Sequence, residues 1–387
     1  MLSQAIILCG TTATGRDCPT QAALTLRPFA GKPFIEHLIQ DVSRFGIDRI
    51  TLLADATSEI AALYDGRILH HCAIEVIAVP AGASPLHCAR DRLAPSFLLL
   101  NGACWSDADL VVLAHRWHCA RSAQPSLAGM VLMQGYDPAA LRDRTDASPA
   151  PGTLINTGVY ILQRDALAPF WSSGETSLDA ILSTLSAEGR LRIETAPGNS
   201  IFLDLRDSAR SFAHRLIARR TRPALFLDRD GTLNVDRGYT FRPADLVWQT
   251  EAREAVRCAN RAGYYVFVVT NQSGVSRGLF TDADVQAFHA AMQSSLFEVE
   301  AHIDAIEWCP HHVDGTIERY SKPCRRRKPA PGMIEDLLAA WPVDVKTSLM
   351  IGDRDSDIEA AAAAGITGVP FHGGSLLDLV RRHVRRE

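Results

Sequence analysis

Twice along the 387-residue chain, a short apolar strand is followed directly by a loop of small or acidic residues. The first block begins with AIILCGTTATGR near residue 5, and the second begins with ALFLDRDGTLN at residue 224. In both blocks, short apolar strands then alternate with amphipathic helices, which is typical of βαβ units and parallel sheets. The pattern predicts the α/β fold class, with two Rossmann-like domains built on parallel sheets.

The boundary between the two blocks is predicted near residues 215–222, where the basic segment SFAHRLIARRTRP ends at Pro223. We therefore expect one domain over residues 1–215 and a second over residues 223–387. The length of the chain by itself favours two domains over one.

The overall composition is that of a globular protein, with 47% hydrophobic and 22% charged residues. A net charge of −4 disfavours general binding to nucleic acid or to an anionic membrane. No stretch approaches the roughly 18 apolar residues of a transmembrane helix, and the apolar N-terminal run is too short for a signal peptide. Nine cysteines, an odd number, disfavour a disulfide scaffold. These features predict a cytoplasmic protein without nucleic-acid or membrane partners.

The second block is predicted to contain three buried strands and four helices. The strands are expected at 224–227, 264–270 and 348–351, and the helices at 252–262, 282–297, 331–340 and 357–364. Thr281 is placed as an N-cap, and Gly365 sits where a helix-ending glycine is common. Ligands gather at the carboxyl ends of strands in such sheets. Asp228, Thr270 and Asp353 all fall at these ends.

Asp228 and Asp230 lie two residues apart, just past a predicted buried strand, and Gly231-Thr232 follow them. A carboxylate directly after a buried strand can attack phosphorus. A second carboxylate two residues later can protonate the leaving oxygen and afterwards activate water. The two would repel each other and a phosphate unless a cation were present, and Mg²⁺ suits this arrangement. Asp353 offers a third acidic group for the metal, and Lys328 offers a positive charge for the transferring phosphoryl group.

A DxD sequence alone is more typical of an acidic turn than of an active site. The combination of DxDGT, TNQSG, RKP and GDxxSD in this order disfavours that alternative. From about Pro223 onwards these motifs resemble the haloacid dehalogenase superfamily, and within it the branch of histidinol-phosphate and heptose-bisphosphate phosphatases. The resemblance implies a magnesium-dependent phosphatase that forms an aspartyl-phosphate intermediate.

The same resemblance implies a sugar phosphate substrate, such as a heptose bisphosphate used to make nucleotide-activated heptose for surface polysaccharide. Histidinol phosphate or another sugar phosphate is the alternative. The implied catalytic residues are Asp228, Asp230, Thr270 and Lys328. The implied Mg²⁺ ligands are the side chains of Asp228 and Asp353 and the backbone carbonyl of Asp230. The implied substrate contacts are Asp236, Arg237, Gly238, Tyr239, Asn271, Gln272, Ser273, Arg327 and Arg354.

Members of this branch often carry a zinc loop with the pattern C-x-H followed by C-x-C-R-K-P. The matching residues here are Cys309, His311 and Cys324. Two cysteines and a histidine suit Zn²⁺, but Arg326 stands at the fourth position and cannot bind the metal. The site then recruits His312, keeps a water, or is empty. Arg325 and Arg326 either meet a second phosphate of the substrate or form a solvated run of charges.

Residues 5 to about 210 resemble the sugar-phosphate nucleotidyltransferases, through AIILCGTTATGR, FLLLNGACW, INTGVYIL and FLDLRDSAR. Such enzymes hold a nucleoside triphosphate on a glycine-rich loop after the first strand. Here Thr11 and Ala13 replace glycines of that loop, and Leu24 replaces a lysine. Ala103 replaces a metal-binding aspartate, which leaves Asp204 as the only metal-binding carboxylate. The resemblance therefore implies a transferase fold without activity.

The remaining polar motifs of this domain, Asn101-Gly102 and Asn156-Thr157-Gly158, are expected to be turns and strand ends. The alternative functions for this domain are binding a nucleotide, a sugar or a partner, stabilising the phosphatase, or forming a homo-oligomer. Two other functions compete with a phosphatase. Residual transfer of a nucleotide to heptose 1-phosphate is disfavoured by Ala103, and a non-catalytic scaffold is disfavoured by the intact DxDGT motif.

Overall fold

The computed structural model describes residues 2–10, 25–135, 153–173, 177–196, 200–202 and 209–384. The chain divides into two compact units, Met1–Arg219 and Arg220–Glu387, called unit 1 and unit 2 below. Each unit contains a β-sheet with helices on it, which confirms the predicted α/β class.

Unit 1 contains twelve described strands and seven described helices. The strands are β1 (Gln4–Cys9), β2 (Pro28–Phe29), β3 (Lys32–Pro33), β4 (Arg49–Asp55), β5 (Ile68–Leu69), β6 (Cys72–Val79), β7 (Ser96–Asn101), β8 (Cys104–Ser106), β9 (Gly129–Gly135), β10 (Leu154–Gln163), β11 (Leu191–Thr195) and β12 (Ser200–Phe202). The helices are α1 (Phe34–Ser43), α2 (Ile60–Tyr64), α3 (Pro85–Cys88), α4 (Leu110–Ala123), α5 (Ala168–Ser173), α6 (Leu178–Ala187) and α7 (Ala209–Arg220).

The main sheet of unit 1 has eight strands in the order β11-β9-β10-β7-β1-β4-β6-β5. Strands β7, β1, β4 and β6 are parallel, but β10 runs antiparallel to both of its neighbours. The sheet is therefore mixed, whereas the sequence predicted parallel strands. An apolar strand covered on both faces has the same residue pattern in either direction, so its sequence does not reveal its direction.

Unit 2, over its described residues 220–384, contains five strands and five α-helices. The strands are β13 (Ala224–Leu227), β14 (Tyr265–Asn271), β15 (Ala305–Cys309), β16 (Leu349–Gly352) and β17 (Thr367–Pro370). The helices are α8 (Ala252–Arg261), α9 (Asp282–Phe297), α10 (Gly332–Ala340), α11 (Asp355–Ala363) and α12 (Leu376–His383). None of the helices in the described part of the chain is long and apolar enough to cross a membrane.

The sheet of unit 2 is wholly parallel, with the order β15-β14-β13-β16-β17. The three predicted strands form its centre and are almost entirely buried. The two edge strands, β15 and β17, are only partly buried and carry polar residues, so the sequence pattern did not predict them. The side chain of Thr281 caps α9, and Gly365 has a φ of 75°, which confirms both helix-end predictions.

Candidate active site

The predicted acidic and hydroxyl residues meet at the carboxyl edge of the sheet of unit 2. Asp228 follows β13, and its backbone N–H donates to the carbonyl oxygen of Ile351 at 3.0 Å. Thr270 is the penultimate residue of β14, and Asp353 follows β16. Carboxylate oxygens of Asp228, Asp353 and Asp357 all lie within 4.8 Å of one another. The fold therefore gathers two of the predicted metal ligands and adds Asp357 to them.

Lys328 joins two of these carboxylates. Its Nζ lies 2.6 Å from Asp228 Oδ1 and 2.6 Å from Asp357 Oδ1, and it donates to the carbonyl oxygen of Val269 at 2.7 Å. At most 8% of each of the three charged side chains is exposed. The predicted lysine thus lies beside the predicted nucleophile, where it can neutralise negative charge.

The position of Lys328 is set by Asn271 at the end of β14. The Asn271 side chain accepts from the Lys328 backbone N–H at 3.1 Å and donates to the Lys328 carbonyl oxygen at 3.0 Å. A substrate contact was predicted for Asn271. Its amide instead holds the loop that carries Lys328 against the sheet, so any contact with substrate would come in addition to this role.

The electrostatics of the cluster follow from its burial. Burial raises the pKa of the Asp228 carboxyl above its ordinary range; the ammonium of Lys328 opposes this shift, and the Asp357 carboxylate adds to it. Burial alone would lower the pKa of Lys328, but Asp228 and Asp357 outweigh it and raise that pKa. Lys328 is therefore charged at neutral pH. A further cation beside Asp228 would favour the ionised carboxylate of Asp228.

The donor set fits a hard divalent cation. Three carboxylates lie together with one ammonium, so negative charge is in excess at this edge of the sheet. Carboxylate oxygens are the ligands that Mg²⁺ prefers, and Mg²⁺ usually takes only a few of them together with substrate oxygens. Gly231, with a φ of 94°, brings the DxDGT turn against Asp353, where a Cβ would overlap the carboxylate. The turn is therefore shaped to bring the second acidic motif close.

Asp230 lies in a separate hydrogen-bond network on the same turn. Its carboxylate accepts from Asn234, from Gln272 and from the buried guanidinium of Arg229. The Gln272 amide also donates to the Thr270 hydroxyl oxygen at 2.9 Å. The side chain of Gln272, a predicted substrate contact, is thus engaged with protein groups.

The other predicted substrate contacts include a turn over residues 236–239 and Arg354. Residues 236–239 form a turn in which Asp236 accepts from the backbone N–H of Gly238 at 2.8 Å and Tyr239 has a φ of 59°. Asp236 also accepts from Arg354 at 3.1 Å. The backbone N–H of Arg237 donates to the Thr240 hydroxyl at 3.3 Å. Arg354 Nε also lies 3.9 Å from Asp353 Oδ2, which links this turn to the acidic cluster.

Arg327 and Ser273 complete the predicted set. The Arg327 guanidinium donates to the carbonyl oxygen of His311 at 3.1 Å. Burial lowers the pKa of Arg327, and the positive charges of Arg277 and Arg354 contribute to this. Arg277 and Arg354 are therefore near enough for their charges to act on Arg327. Ser273 follows β14 and accepts, through its carbonyl oxygen, from the Ser276 hydroxyl at 2.8 Å.

The predicted zinc loop brings its three ligands together. The ligand atoms of Cys309, His311 and Cys324 lie within 4.8 Å of one another, and His312 does not belong to the group. The Cys309 sulfur lies 3.7 Å from His311 Nδ1. Burial raises the pKa of the Cys309 thiol to about 12, so it needs a nearby positive charge to ionise. The three residues fit three corners of a tetrahedral zinc site, and no fourth ligand joins them within the part of the chain that the structure describes.

Arg326 has a different partner. Its guanidinium pairs with Glu307 and lies 3.4 Å from Asp336. Arg325 also pairs with Asp336, at 2.5 Å. The expectation of a phosphate contact or a solvated charge run did not include this network, because neither carboxylate is near the arginines in sequence. The ion pairs fasten the loop to β15 and α10.

In unit 1 the motif Asn101-Gly102 is a strand end and turn, as predicted, but Asn156-Thr157-Gly158 lies inside β10, where the pairing with β9 shifts register. Asn101 accepts from the backbone N–H of Ala103 at 2.9 Å, and Asn156 accepts from that of Gly158 at 2.9 Å. A Cβ on Gly102 would overlap the carbonyl oxygen of Leu8, so glycine is needed there for close packing. The predicted losses in the loop 11–16 and at Leu24, and the remaining Asp204, lie outside the described residues.

Two charged residues of the site were not predicted. Asp357 is buried and binds Lys328, and it also accepts from the backbone N–H of Arg354 at 3.1 Å. The sequence signal for it was its place in GDxxSD, four residues after Asp353, but the motif alone did not connect it to Lys328. The other is Arg229, whose buried guanidinium donates to Asp230 and which occupies the unassigned middle position of the DxD motif.

Parts of the chain are similar to known proteins. A family model described as HAD-hydrolase-like matches residues 325–376. The D-glycero-beta-D-manno-heptose-1,7-bisphosphate 7-phosphatase of Rhodopseudomonas palustris is 51% identical over 161 residues, which cover 42% of this chain and 89% of that protein. A solved D,D-heptose 1.7-bisphosphate phosphatase from B. bronchiseptica, complexed with magnesium and phosphate, is 29% identical with a TM-score of 0.37, covering 41% of this chain and 97% of that one. The UTP-bound UGPase from Acinetobacter baumannii is 14% identical with a TM-score of 0.41, covering 52% of this chain and 88% of that one.

Proposed function

This chain belongs, through its C-terminal unit, to the haloacid-dehalogenase-type heptose-bisphosphate phosphatases, and we propose that it removes the 7-phosphate of D-glycero-beta-D-manno-heptose 1,7-bisphosphate. The observation that carries the proposal is the buried group of Asp228, Lys328 and Asp357, with the partly exposed Asp353 beside it, at the carboxyl edge of a parallel sheet. The product would enter the synthesis of nucleotide-activated heptose for surface polysaccharide.

The proposed reaction has two displacements at phosphorus. In the first, a carboxylate oxygen of Asp228 forms a bond to the 7-phosphorus, the bond to the sugar oxygen breaks, and Asp230 gives its proton to that oxygen. In the second, water attacks the aspartyl phosphate, Asp230 takes the proton of the water, and the bond to Asp228 breaks. Lys328 and the Thr270 hydroxyl stabilise the charge on the phosphoryl oxygens.

Mg²⁺ is the proposed cofactor. The side chains of Asp228 and Asp353 would hold it with the backbone carbonyl of Asp230, and Asp357 lies within reach of the same position. The bound ion would supply the positive charge that allows an anionic nucleophile and an anionic phosphate to approach each other.

We assign substrate recognition to the groups around the acidic cluster. A bisphosphate has a second anionic group away from the scissile bond, and the concentration of Arg277, Arg327 and Arg354 provides positive charge for it. Residues 236–239, Asn271, Gln272 and Ser273 would contact the sugar and its 7-phosphate. Arg354 carries the charge of the lysine usual in the family, with the different geometry of a guanidinium.

A panel of phosphate esters tests the proposed substrate. Both anomers of heptose 1,7-bisphosphate, histidinol phosphate and fructose 1,6-bisphosphate would be compared by kcat/KM for phosphate release. We expect the highest value for the beta anomer of the heptose bisphosphate, because the similar curated enzymes carry that name. Faster hydrolysis of histidinol phosphate than of either heptose anomer would contradict the proposal.

The remaining assignments are also proposals. We infer domains over residues 1–215 and 223–387, of which the first is a nucleotidyltransferase-like domain without transferase activity and the second is the phosphatase. The loop of Cys309, His311 and Cys324 would bind Zn²⁺ only weakly, because Arg326 supplies an ion pair where a fourth ligand is needed. A sugar phosphate substrate and free cysteines are consistent with a cytoplasmic enzyme.

A further inference from the structure

Arg229 lies between the proposed nucleophile and the proposed acid/base in sequence, and its side chain is fully buried. A buried guanidinium is costly unless several hydrogen bonds and an opposite charge compensate it. Residue 229 is the variable position of the DxD motif, so the motif does not assign it a role. Its contacts therefore indicate what it does.

The guanidinium of Arg229 is fixed from several sides. Its Nε lies 3.0 Å from Asp230 Oδ1, and its Nη2 lies 2.6 Å from Asp230 Oδ2. The same Nη2 lies 2.7 Å from the carbonyl oxygen of Thr240 and 3.1 Å from Gln272 Oε1. The guanidinium carbon stands 4.6 Å from the ring centroid of Phe288. These contacts hold the guanidinium in one orientation, with its bidentate face toward Asp230.

Asp230 receives further donors from the same neighbourhood. Asn234 Nδ2 lies 3.0 Å from Oδ1, and Gln272 Nε2 lies 2.8 Å from Oδ2. All of these partners donate hydrogen bonds, so they stabilise the ionised carboxylate. Asp230 is ionised directly after it has given its proton to the leaving group. The network is therefore matched to the charge that appears on Asp230 during the first displacement.

We propose that Arg229 is a positioning residue for proton transfer by Asp230, an inference that rests on the proposed phosphatase function. As the bond from phosphorus to the leaving oxygen breaks, the proton of Asp230 moves to that oxygen and negative charge develops on the carboxylate. Arg229 is already oriented to stabilise this charge, so no reorganisation is needed at that moment. Asn234 and Gln272 hold the carboxylate against rotation.

The dependence of the rate on the leaving group separates this role from a purely structural one. An alkoxide leaving group needs a proton, whereas para-nitrophenolate departs without one. The parameter kcat/KM includes only the steps up to departure of the leaving group, so hydrolysis of the aspartyl phosphate does not enter it. A variant with impaired proton transfer should lose activity on alkyl esters and retain it on activated aryl esters.

The experiment uses the full chain and compares Arg229→Gln and Arg229→Lys with the wild type. Probes are heptose 1,7-bisphosphate, glycerol 3-phosphate and aryl phosphates from phenyl to para-nitrophenyl. For Arg229→Gln we expect kcat/KM to fall about 100-fold on the alkyl esters and less than about fivefold on para-nitrophenyl phosphate. The plot of log kcat/KM against leaving-group pKa should become steeper. Arg229→Lys keeps the positive charge but not the bidentate geometry of the guanidinium, so its loss of kcat/KM should be intermediate.

Arg253→Gln is the matched control, because Arg253 forms an ion pair with Glu298 outside the site; its plot should coincide with that of the wild type. If thermal unfolding shows that Arg229→Gln is not folded, Arg229→Lys and Asn234→Ala make the same test with smaller changes. Equal loss on all esters, with an unchanged slope, would overturn the inference. A preference for histidinol phosphate would instead contradict the proposed substrate, and the slopes would still be measurable.

Discussion

Units 1 and 2 share an α/β architecture but differ in the burial and the binding partners of the polar residues on their strands. Within the described residues of unit 1 no carboxylate is buried; Asn101 binds the turn that follows β7, and Asn156 binds the backbone of its own strand, β10. In unit 2, Asp228 and Asp357 are buried with Lys328 between them. Buried charges are costly, and a chain keeps them where they are paired and useful. Architecture alone therefore does not tell which unit carries the chemistry.

The largest expected effect comes from breaking the charge cluster of unit 2. Lys328→Met leaves Asp228 and Asp357 without their cation, which should lower the free energy of unfolding by about 3–5 kcal/mol and abolish phosphatase activity. Urea unfolding and phosphate release would measure this. The exposed Lys346 provides the control, since Lys346→Met should change the unfolding free energy by less than about 0.5 kcal/mol. A stable, active Lys328→Met variant would remove the contrast between the units.

A second change addresses the motif that survives in unit 1. Gly102→Ala places a methyl group against the carbonyl oxygen of Leu8 and should lower the unfolding free energy by up to about 3 kcal/mol. The control is Gly135→Ala, whose methyl group would meet no atom within 4 Å. Calorimetry of the full chain measures the stability, and kcat should be unchanged in both variants. A loss of kcat without a loss of stability would mean that Asn101-Gly102 has a functional role.

A third prediction concerns pH. Burial, assisted by Arg229, lowers the pKa of His289 to about 3, whereas the unfolded histidine titrates near 6.5. The unfolded state therefore binds more protons below pH 6.5, and this contribution to stability is lost as the pH falls. His289→Gln should reduce the loss between pH 6.5 and about pH 5 by about 2 kcal/mol. The exposed His118, changed to Gln, is the control in the same urea titrations. Identical pH profiles for the wild type and His289→Gln would exclude this linkage.

The smallest expected effect is at the zinc loop of unit 2, where Arg326 stands in place of the family's fourth zinc ligand. Arg326→Cys supplies a fourth ligand and should retain about one zinc per chain after dialysis against a mild chelator, while the wild type retains less. Arg326→Gln breaks the pair with Glu307 without adding a ligand and should bind no more zinc than the wild type. Elemental analysis measures both. Full zinc retention by the wild type would show that three protein ligands suffice.

Much of unit 2 could be predicted because its central strands are wholly apolar and its motifs follow those strands directly. Asp228, Thr270 and Asp353 were placed at one edge for this reason. The roles of Asp357 and Arg229 could not be predicted, because they depend on contacts made in three dimensions. Lys328 lies 100 residues beyond Asp228 in sequence. A short motif does not predict which of its residues will contact a residue so far along the chain.

The sequence pattern also did not predict the edge strands of unit 2 or the direction of β10 in unit 1. Strands β15 and β17 mix polar and apolar residues because only one neighbour covers each edge. The buried part of the antiparallel β10 is as apolar as the strands β1 and β7, which are parallel to each other. The ion pairs of Arg326 escaped prediction because Glu307 lies on β15, a strand whose sequence gave no signal.

The most direct test measures two reactions on the same samples of wild type and Asp228→Asn. One is phosphate release from heptose 1,7-bisphosphate, and the other is pyrophosphate release from nucleoside triphosphates mixed with heptose 1-phosphate. We expect phosphate release by the wild type, a loss of at least about 1,000-fold in Asp228→Asn, and no pyrophosphate release by either protein. Pyrophosphate release that survives in Asp228→Asn, or phosphate release that does not depend on Asp228, would contradict the assignment of the chemistry to unit 2.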